Sequence, residues 1–328
     1  MRKRLSLPLL GTSVIAFIFF APASNSKATS SGPLPLSTAA PPLPQVASSA
    51  ISTTIFLPLI MQDYPAVFVG AGDIGSCDTL GDEATANLLD QIAGTVFTLG
   101  DNVYNTGTTS EFNNCYNSAW GRHLARTRPA PGNHDYYTSN ATAYFGYFGV
   151  AAGTPTAGYY SYDLGHWHLI VINSNCSLVG GCQAGSAQEQ WLRADLAAHP
   201  ALCTLAYWHH PRFSSGFHGD TLEMQPLWQA LYDYQADVVL NGHDHDYERF
   251  ALQDPTGAAD SVQGLREFVV GTGGRSHYLW QTVKPNSEVR NNTTFGVLQL
   301  TLSSSSYAWQ FVPEPGQTFT DTGRTDCH

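Results

Sequence analysis

Five short segments of this sequence carry side chains that can hold metal ions or move protons. They are Gly72-Asp73, Gly100-Asp101 with Tyr104 three residues on, Gly132-Asn133-His134-Asp135, Trp208-His209-His210, and Gly242-His243-Asp244-His245. Carboxylate, amide, imidazole and phenol groups are the usual oxygen and nitrogen donors to metals, and imidazoles and carboxylates are common acids and bases of catalysis. Each segment alone reads as an ordinary turn, where Asp, Asn and Gly are frequent. Their conjunction does not, because each closes a run with strand character: Ala66–Val69, Thr95–Leu99, Arg128–Pro131, Leu202–Tyr207 and Val238–Leu240. The carboxyl ends of strands are where open α/β sheets build their sites. By contrast, Gly271-Thr272-Gly273-Gly274 lacks a following Lys-Ser/Thr and is no phosphate-binding P-loop.

The elements that must position these groups follow from periodicity. Further strands are predicted at Tyr159–Asp163, Trp167–Asn173, Glu267–Val270, Phe295–Leu302 and Tyr307–Val312. Helices are predicted over Glu83–Ile92, Ala187–Ala198 and Leu222–Tyr234, each gathering apolar residues on one face, as Trp191, Leu192 and Leu196 do in the second. The early half alternates β-α-β, which predicts a right-handed parallel arrangement. The later strands follow one another through loops and predict antiparallel pairing.

The order GD, GDxxY, GNH, H and GHxH, spread from Asp73 to His245, resembles the metallophosphoesterase superfamily. Tyr104 narrows the resemblance to the purple acid phosphatase branch, and His243-Asp244-His245-Asp246-Tyr247-Glu248-Arg249 is similar to that branch's GHxHxYER ending. The resemblance covers Ala66 to about Val312. It implies an α/β (α+β) fold, a four-layer αββα sandwich of two mixed β-sheets flanked by helices, with a metal site at the carboxyl ends of strands. It also implies one metal among Asp73, Tyr104 and His245, a second among Asn133, His209 and His243, and Asp101 bridging both. The implied cofactors are Fe(III) plus a divalent Fe, Zn or Mn ion. Such a pair clamps the attacking and leaving sides of an in-line displacement.

The implied activity is hydrolysis of phosphate monoesters by a metal-bound hydroxide. His134 would bind phosphate and protonate the leaving oxygen, Asp135 would orient that imidazole, and His218 would contact substrate. His210 stands where the family usually has Tyr or Ser, and its expected place is the pocket wall. His123, His166, His168, His199, His277 and His328 read as structural or surface groups. A phosphodiesterase on the same metal pair is the alternative reading. A secreted module with purely structural metals is a further one, disfavoured because such a site has no use for the non-ligand His134. The sequence departs from the plant pattern in having Asp135 where Glu is common, and a Pro/Ser-rich segment where plant members carry a fibronectin-like domain.

Composition sets the context. The 328 residues are 43% hydrophobic and 12% charged, which excludes a disordered chain and a coiled coil. With 26 acidic and 15 basic residues the formal net charge is −11. Nucleic acid is therefore not an expected partner, whereas a small phosphate ester gripped by metal cations is. Arg2-Lys3-Arg4, the apolar run Leu5–Phe20 and Ala21-Pro22-Ala23 predict a signal peptide over 1–23. A Pro/Ser/Thr-rich linker is predicted over 24–62 and the catalytic domain over 63–328, with no membrane span in the mature chain and a secreted, extracellular or periplasmic location. Because Arg2, Lys3, Arg4 and Lys27 precede every acidic residue, the chain beyond residue 27 carries 11 basic against 26 acidic residues, a net of −15.

Six cysteines fit up to three disulfides in an exported protein. Cys176 and Cys182 flank a short Gly-containing loop that one bridge could close. Cys77 with Cys115 and Cys203 with Cys327 would then complete the set, although spacing alone does not decide among connectivities. Asn140-Ala141-Thr142 and Asn291-Asn292-Thr293 fit the glycosylation sequon.

Overall fold

The computed structural model describes residues 64–328; the predicted leader over 1–23 and linker over 24–62 lie outside the described residues. In chain order the first strands are β1 (Ala66–Ala71), β2 (Gly75–Ser76), β3 (Thr95–Leu99), β4 (Val103–Tyr104), β5 (Thr127–Ala130), β6 (Tyr160–Leu164), β7 (Trp167–Val171) and β8 (Cys203–Tyr207). Then come β9 (Val238–Asn241), β10 (Tyr247–Phe250), β11 (Arg266–Val270), β12 (Ser287–Asn291), β13 (Gly296–Leu302), β14 (Ser306–Pro313) and β15 (Thr322–Asp326). The α-helices are α1 (Gly81–Gln91), α2 (Thr109–Glu111), α3 (Thr142–Phe148), α4 (Ala187–Ala198) and α5 (Gln225–Asp233).

Two large mixed sheets result. The first has the order β15-β14-β13-β1-β3-β5, parallel from β1 to β5 and antiparallel from β1 to β15. The second has the order β12-β10-β11-β9-β8-β7-β6, with β7, β8, β9 and β11 parallel and its outer strands antiparallel. Antiparallel pairing of the later strands thus holds for β13, β14 and β15 but not for β8, β9 and β11. The reason is connectivity: α5 carries the chain across between β8 and β9, and β10 returns it outside β11, so β11 re-enters parallel to β9.

Alternation along the central strands separates two cores. Leu205, Tyr207, Leu240 and Phe268 face the first sheet, against Phe68, Phe97 and Leu300. Their neighbours Ala206, Val239 and Val269 face the other way, against Leu192, Leu196, Leu227 and Leu231 of α4 and α5. Phe68 touches both sheets' aromatics, with ring centroids 4.6 Å from Phe97 and 5.6 Å from Tyr207. Each such large side chain taken from water contributes roughly 1.5–3 kcal/mol. Helices therefore flank a pair of packed sheets, the four-layer arrangement expected.

β5 coincides with the run Arg128–Pro131, and Pro129 in it, which cannot donate to a ladder, is tolerated because β5 is an edge strand. Two of the strands not predicted from periodicity lie at the sheets' edges. β12 and β15 are polar edge strands without an apolar alternation. Disulfides join Cys77–Cys115, Cys176–Cys182 and Cys203–Cys327, the connectivity favoured above, and among the described residues no cysteine is free. None of the described helices is long and apolar enough to cross a membrane.

Candidate metal centre

Where β1 ends, the chain keeps contact with its neighbours instead of turning away. The amides of Gly72, Asp73 and Ile74 donate to the carbonyls of Val270, Gly100 and Asp101, so the post-strand segments run side by side and pair as β2 and β4. The turns are tight enough to force Asp73, Asp101 and His243 to φ values of 60°, 47° and 73°. Left-handed conformations in non-glycine residues cost free energy and concentrate at functional sites. Gly132 is needed for a different reason: a Cβ there would stand 2.1 Å from the Asp101 amide nitrogen. The capping box of α2 fixes the following loop, since the Glu111 carboxylate accepts the amides of Asn105 and Thr108 at 2.6 and 2.8 Å.

All seven side chains expected to bind metal meet at this edge, in two groups that share Asp101. The Tyr104 hydroxyl lies 2.6 Å from Asp73 Oδ1, 2.9 Å from Asp101 Oδ2 and 3.1 Å from His245 Nε2. His209 Nε2 lies 3.0 Å from Asn133 Oδ1, 3.2 Å from His243 Nδ1 and 3.3 Å from Asp101 Oδ2. Second partners set the tautomers. His209 Nδ1 donates to the Leu99 carbonyl at 2.7 Å, which turns the Nε2 lone pair toward Asn133 and Asp101. His245 Nδ1 pairs with Ser276 Oγ at 2.7 Å, leaving Nε2 directed at Asp73 and Tyr104.

Such an array demands positive charge. Asp73 and Asp101 are buried, and among the described residues no Lys or Arg forms an ion pair with either; their ion-pair partners are imidazoles. Burial alone would push the His209 imidazole down, but Asp101 and Asp73 outweigh it and lift it to about 9, so the pocket draws a positive charge to Nε2. His243 is held well below the ordinary imidazole range by burial and by its neighbours His209, His210 and His218, so its lone pair stays available. Burial, then the charges of Asp101 and Asp73, push the Tyr104 phenol well above its usual value. A phenolate there needs a highly charged cation beside it. Three oxygen donors with one imidazole suit a hard ion, and two imidazoles with an amide suit a softer divalent one. The donor set fits two cations sharing Asp101.

The remaining predicted residues divide. His134 donates its backbone amide to Asp101 Oδ1 at 2.7 Å, and its ring Nδ1 faces the Asn105 carbonyl at 2.6 Å, placing Nε2 3.8 Å from Asp101 Oδ2. Asp135, expected to orient that ring, does not touch it. Its Oδ2 instead accepts from the Gly132 amide at 2.8 Å and from Asn102 Nδ2 at 2.9 Å, so it braces the loop that presents Asn133. Burial, then the charge of Asp101, raises Asp135 to about 7. The His218 ring stacks on His243, centroids 4.2 Å apart, and its loop is anchored by Asp244, which accepts the amides of His218 and Gly219. His210 sits 4.4 Å from the His243 ring centroid, with Nδ1 2.8 Å from Ser174 Oγ, and burial holds it down to about 3.

Three site residues escaped the sequence reading. Tyr278 stacks on His245, with centroids 4.0 Å apart and planes 12° apart. Ser276 holds His245, and Arg275 reaches Asn105 Oδ1 at 2.8 Å with its guanidinium 5.2 Å from the Tyr104 ring. The signal was the glycine run just before them. The Gly273 amide donates to the Gly72 carbonyl at 2.8 Å, and a Cβ there would come within 2.3 Å of that oxygen. The run marks a close backbone approach, and it delivers Arg275, Ser276 and Tyr278.

Comparison with known proteins bears on this site. The sequence profile of the calcineurin-like phosphoesterase family matches residues 67–247, from β1 to the start of β10. Purple acid phosphatase 15 of Arabidopsis thaliana is 27% identical over an alignment covering 57% of this chain and 41% of that protein. An uncharacterised protein of Mycobacterium tuberculosis is 28% identical, covering 45% of this chain and 35% of its own. The chain spans under half the length of the curated relatives it matches. Among solved structures, a purple acid phosphatase from yellow lupin seeds superimposes with a TM-score of 0.66 at 19% identity, covering 81% of this chain and 54% of that one. GAP50, an anchor in the inner membrane complex of Plasmodium, superimposes with a TM-score of 0.62 at 16% identity, covering 81% and 90%. The fold is thus shared with proteins described in quite different terms, and activity has to be argued from the side chains.

Proposed function

The chain belongs to the calcineurin-like phosphoesterase family, and from that premise we propose that it is an exported phosphatase that hydrolyses phosphate monoesters at a dinuclear metal centre. The observation that carries this reading is the pair of donor clusters sharing Asp101, with His134, not itself a donor to either, aimed at the shared carboxylate. Two cations held there would polarise the phosphate and acidify an attacking water. Asp73, Tyr104 and His245 would hold Fe(III), and Asn133, His209 and His243 a divalent Fe, Zn or Mn ion, with Asp101 common to both.

The chain's own groups do the rest. The Asn105 carbonyl requires a proton on His134 Nδ1, so Nε2 is the atom that binds a phosphate oxygen and, when protonated, donates to the departing alkoxide. Asp101 is held in place by the His134 amide, so the acid and the shared ligand are positioned by one bond. Asp135 keeps Gly132 against Asp101 and thereby sets the direction of Asn133. His218 and Tyr278 cover the imidazoles of His243 and His245, and His218 is placed to contact substrate. Three disulfides support an oxidising compartment.

Turnover of 4-nitrophenyl phosphate against bis(4-nitrophenyl) phosphate tests the assignment. Faster hydrolysis of the monoester is expected; preference for the diester would convert the reading to a phosphodiesterase, and hydrolysis of neither would remove it.

A further inference from the structure

Asn133 and His210 also form one wall of a cavity of about 410 Å³ that opens beside the metal centre. Tyr136, Tyr137, Leu178 and Glu223 contribute to the remaining walls. Tyr137 and Leu178 are 61% and 57% exposed, so the cavity offers aromatic and aliphatic surface to whatever enters. The Cys176–Cys182 bridge ties down the loop carrying Leu178. No Lys or Arg lines the cavity. Glu223 is exposed and is the one carboxylate among the lining residues. Around it the chain beyond residue 27 carries a net of −15.

These features bear on the alcohol half of the substrate. Cations at the centre would neutralise the phosphate, but nothing in the cavity neutralises a second anionic group on the same molecule. A positive group would meet the Glu223 carboxylate and two tyrosine rings that line the cavity, groups that attract cations. We propose that this cavity receives the alcohol part of the monoester and ranks substrates by its charge: amino-alcohol phosphates first, uncharged polyol phosphates next, and phosphates bearing a further anionic group last. The ranking rests on the phosphatase reading above and assigns that site its substrate class.

The test compares kcat/KM of the metal-loaded enzyme for phosphocholine, glycerol 2-phosphate and 3-phosphoglycerate, three alkyl esters that differ in the charge of the alcohol. About a tenfold advantage of phosphocholine over 3-phosphoglycerate is expected from one exposed carboxylate several ångströms away. Glu223→Lys should erase or invert that ratio, acting through KM more than kcat, with thermal melting confirming that the variant folds. If 4-nitrophenyl phosphate is turned over but 3-phosphoglycerate equals or exceeds phosphocholine, or Glu223→Lys leaves the ratio unchanged, the cavity assignment fails and the phosphatase reading stands. If no monoester is hydrolysed, both fall together.

Discussion

His134 Nδ1 lies 2.6 Å from the carbonyl oxygen of Asn105, and because a carbonyl only accepts, that contact fixes a proton on Nδ1. The outward Nε2 is then the atom free to change its protonation as the leaving group departs. The Asn105 amide is itself held by Glu111 at 2.6 Å, so the orientation of the ring traces back to the capping box of a three-residue helix.

His134→Gln keeps a polar side chain of similar reach but removes the transferable proton. We expect kcat on 4-nitrophenyl phosphate to fall by about 10²- to 10⁴-fold, the usual contribution of a general acid, with metal content unchanged by elemental analysis. A loss of less than about threefold would show that His134 is not the acid.

Tyr104→Phe removes the one oxygen that sits between Asp73, Asp101 and His245. In iron-loaded protein a broad visible band from tyrosinate-to-iron charge transfer is expected in the parent and absent from the variant. A colourless but fully active parent would contradict Fe(III) at Tyr104 while leaving the phosphoesterase reading in place.

The Cys203–Cys327 bridge joins residues 124 apart and fastens the C-terminal end of the chain to the start of β8. Closing a loop of roughly this length restricts the unfolded chain by up to about 4.7 kcal/mol. Replacing both cysteines by serine should lower the denaturation midpoint by several degrees, more than replacing Cys176 and Cys182, whose separation is only 6 residues. Equal losses from the two double variants would argue against this loop-length account.

His168 provides a pH signature away from the centre. Its ring lies between Asp163 at 2.9 Å and Asp195 at 2.8 Å and stacks on His199. Burial pushes the imidazole down, but the two carboxylates outweigh it and raise it. A raised imidazole contributes stability fully below about 6.5, its unfolded value, and loses it as pH rises through the folded value. His168→Gln should therefore lower the melting temperature more at pH 5 than at pH 9. Asp195, which is lowered, is ionised at both pH values and leaves that difference intact. A larger loss at pH 9 would contradict the charged bridge.

The five polar segments were legible because each follows a run with strand character, and a strand's exit fixes where the next two or three side chains go, whereas their division into two metal-binding groups rests on the resemblance to the metallophosphoesterases. Asp73, Asp101 and His243 needed no knowledge of the fold to be singled out, and their left-handed backbones show how tightly the turns are drawn. Tyr278 and Ser276 were not legible, since they touch His245 only after the glycine run crosses over Gly72, a contact between distant parts of the chain. Asp135 follows His134 in sequence, yet its partners lie elsewhere. Sequence adjacency to His134 says nothing about direction, and its carboxylate turns inward to Asn102 and Gly132. The pairing of β9 with β11 was hidden for a related reason, because strand direction depends on where β10 lies in space.

If two cations sharing Asp101 carry the proposed phosphatase activity, phosphate release from 4-nitrophenyl phosphate must rise and fall with them when it is measured before and after chelation. Close to two metal equivalents are expected in active protein, with loss of turnover in step with their removal and recovery when iron and a divalent ion are restored. Metal-free protein that hydrolyses the ester at the original rate would contradict it.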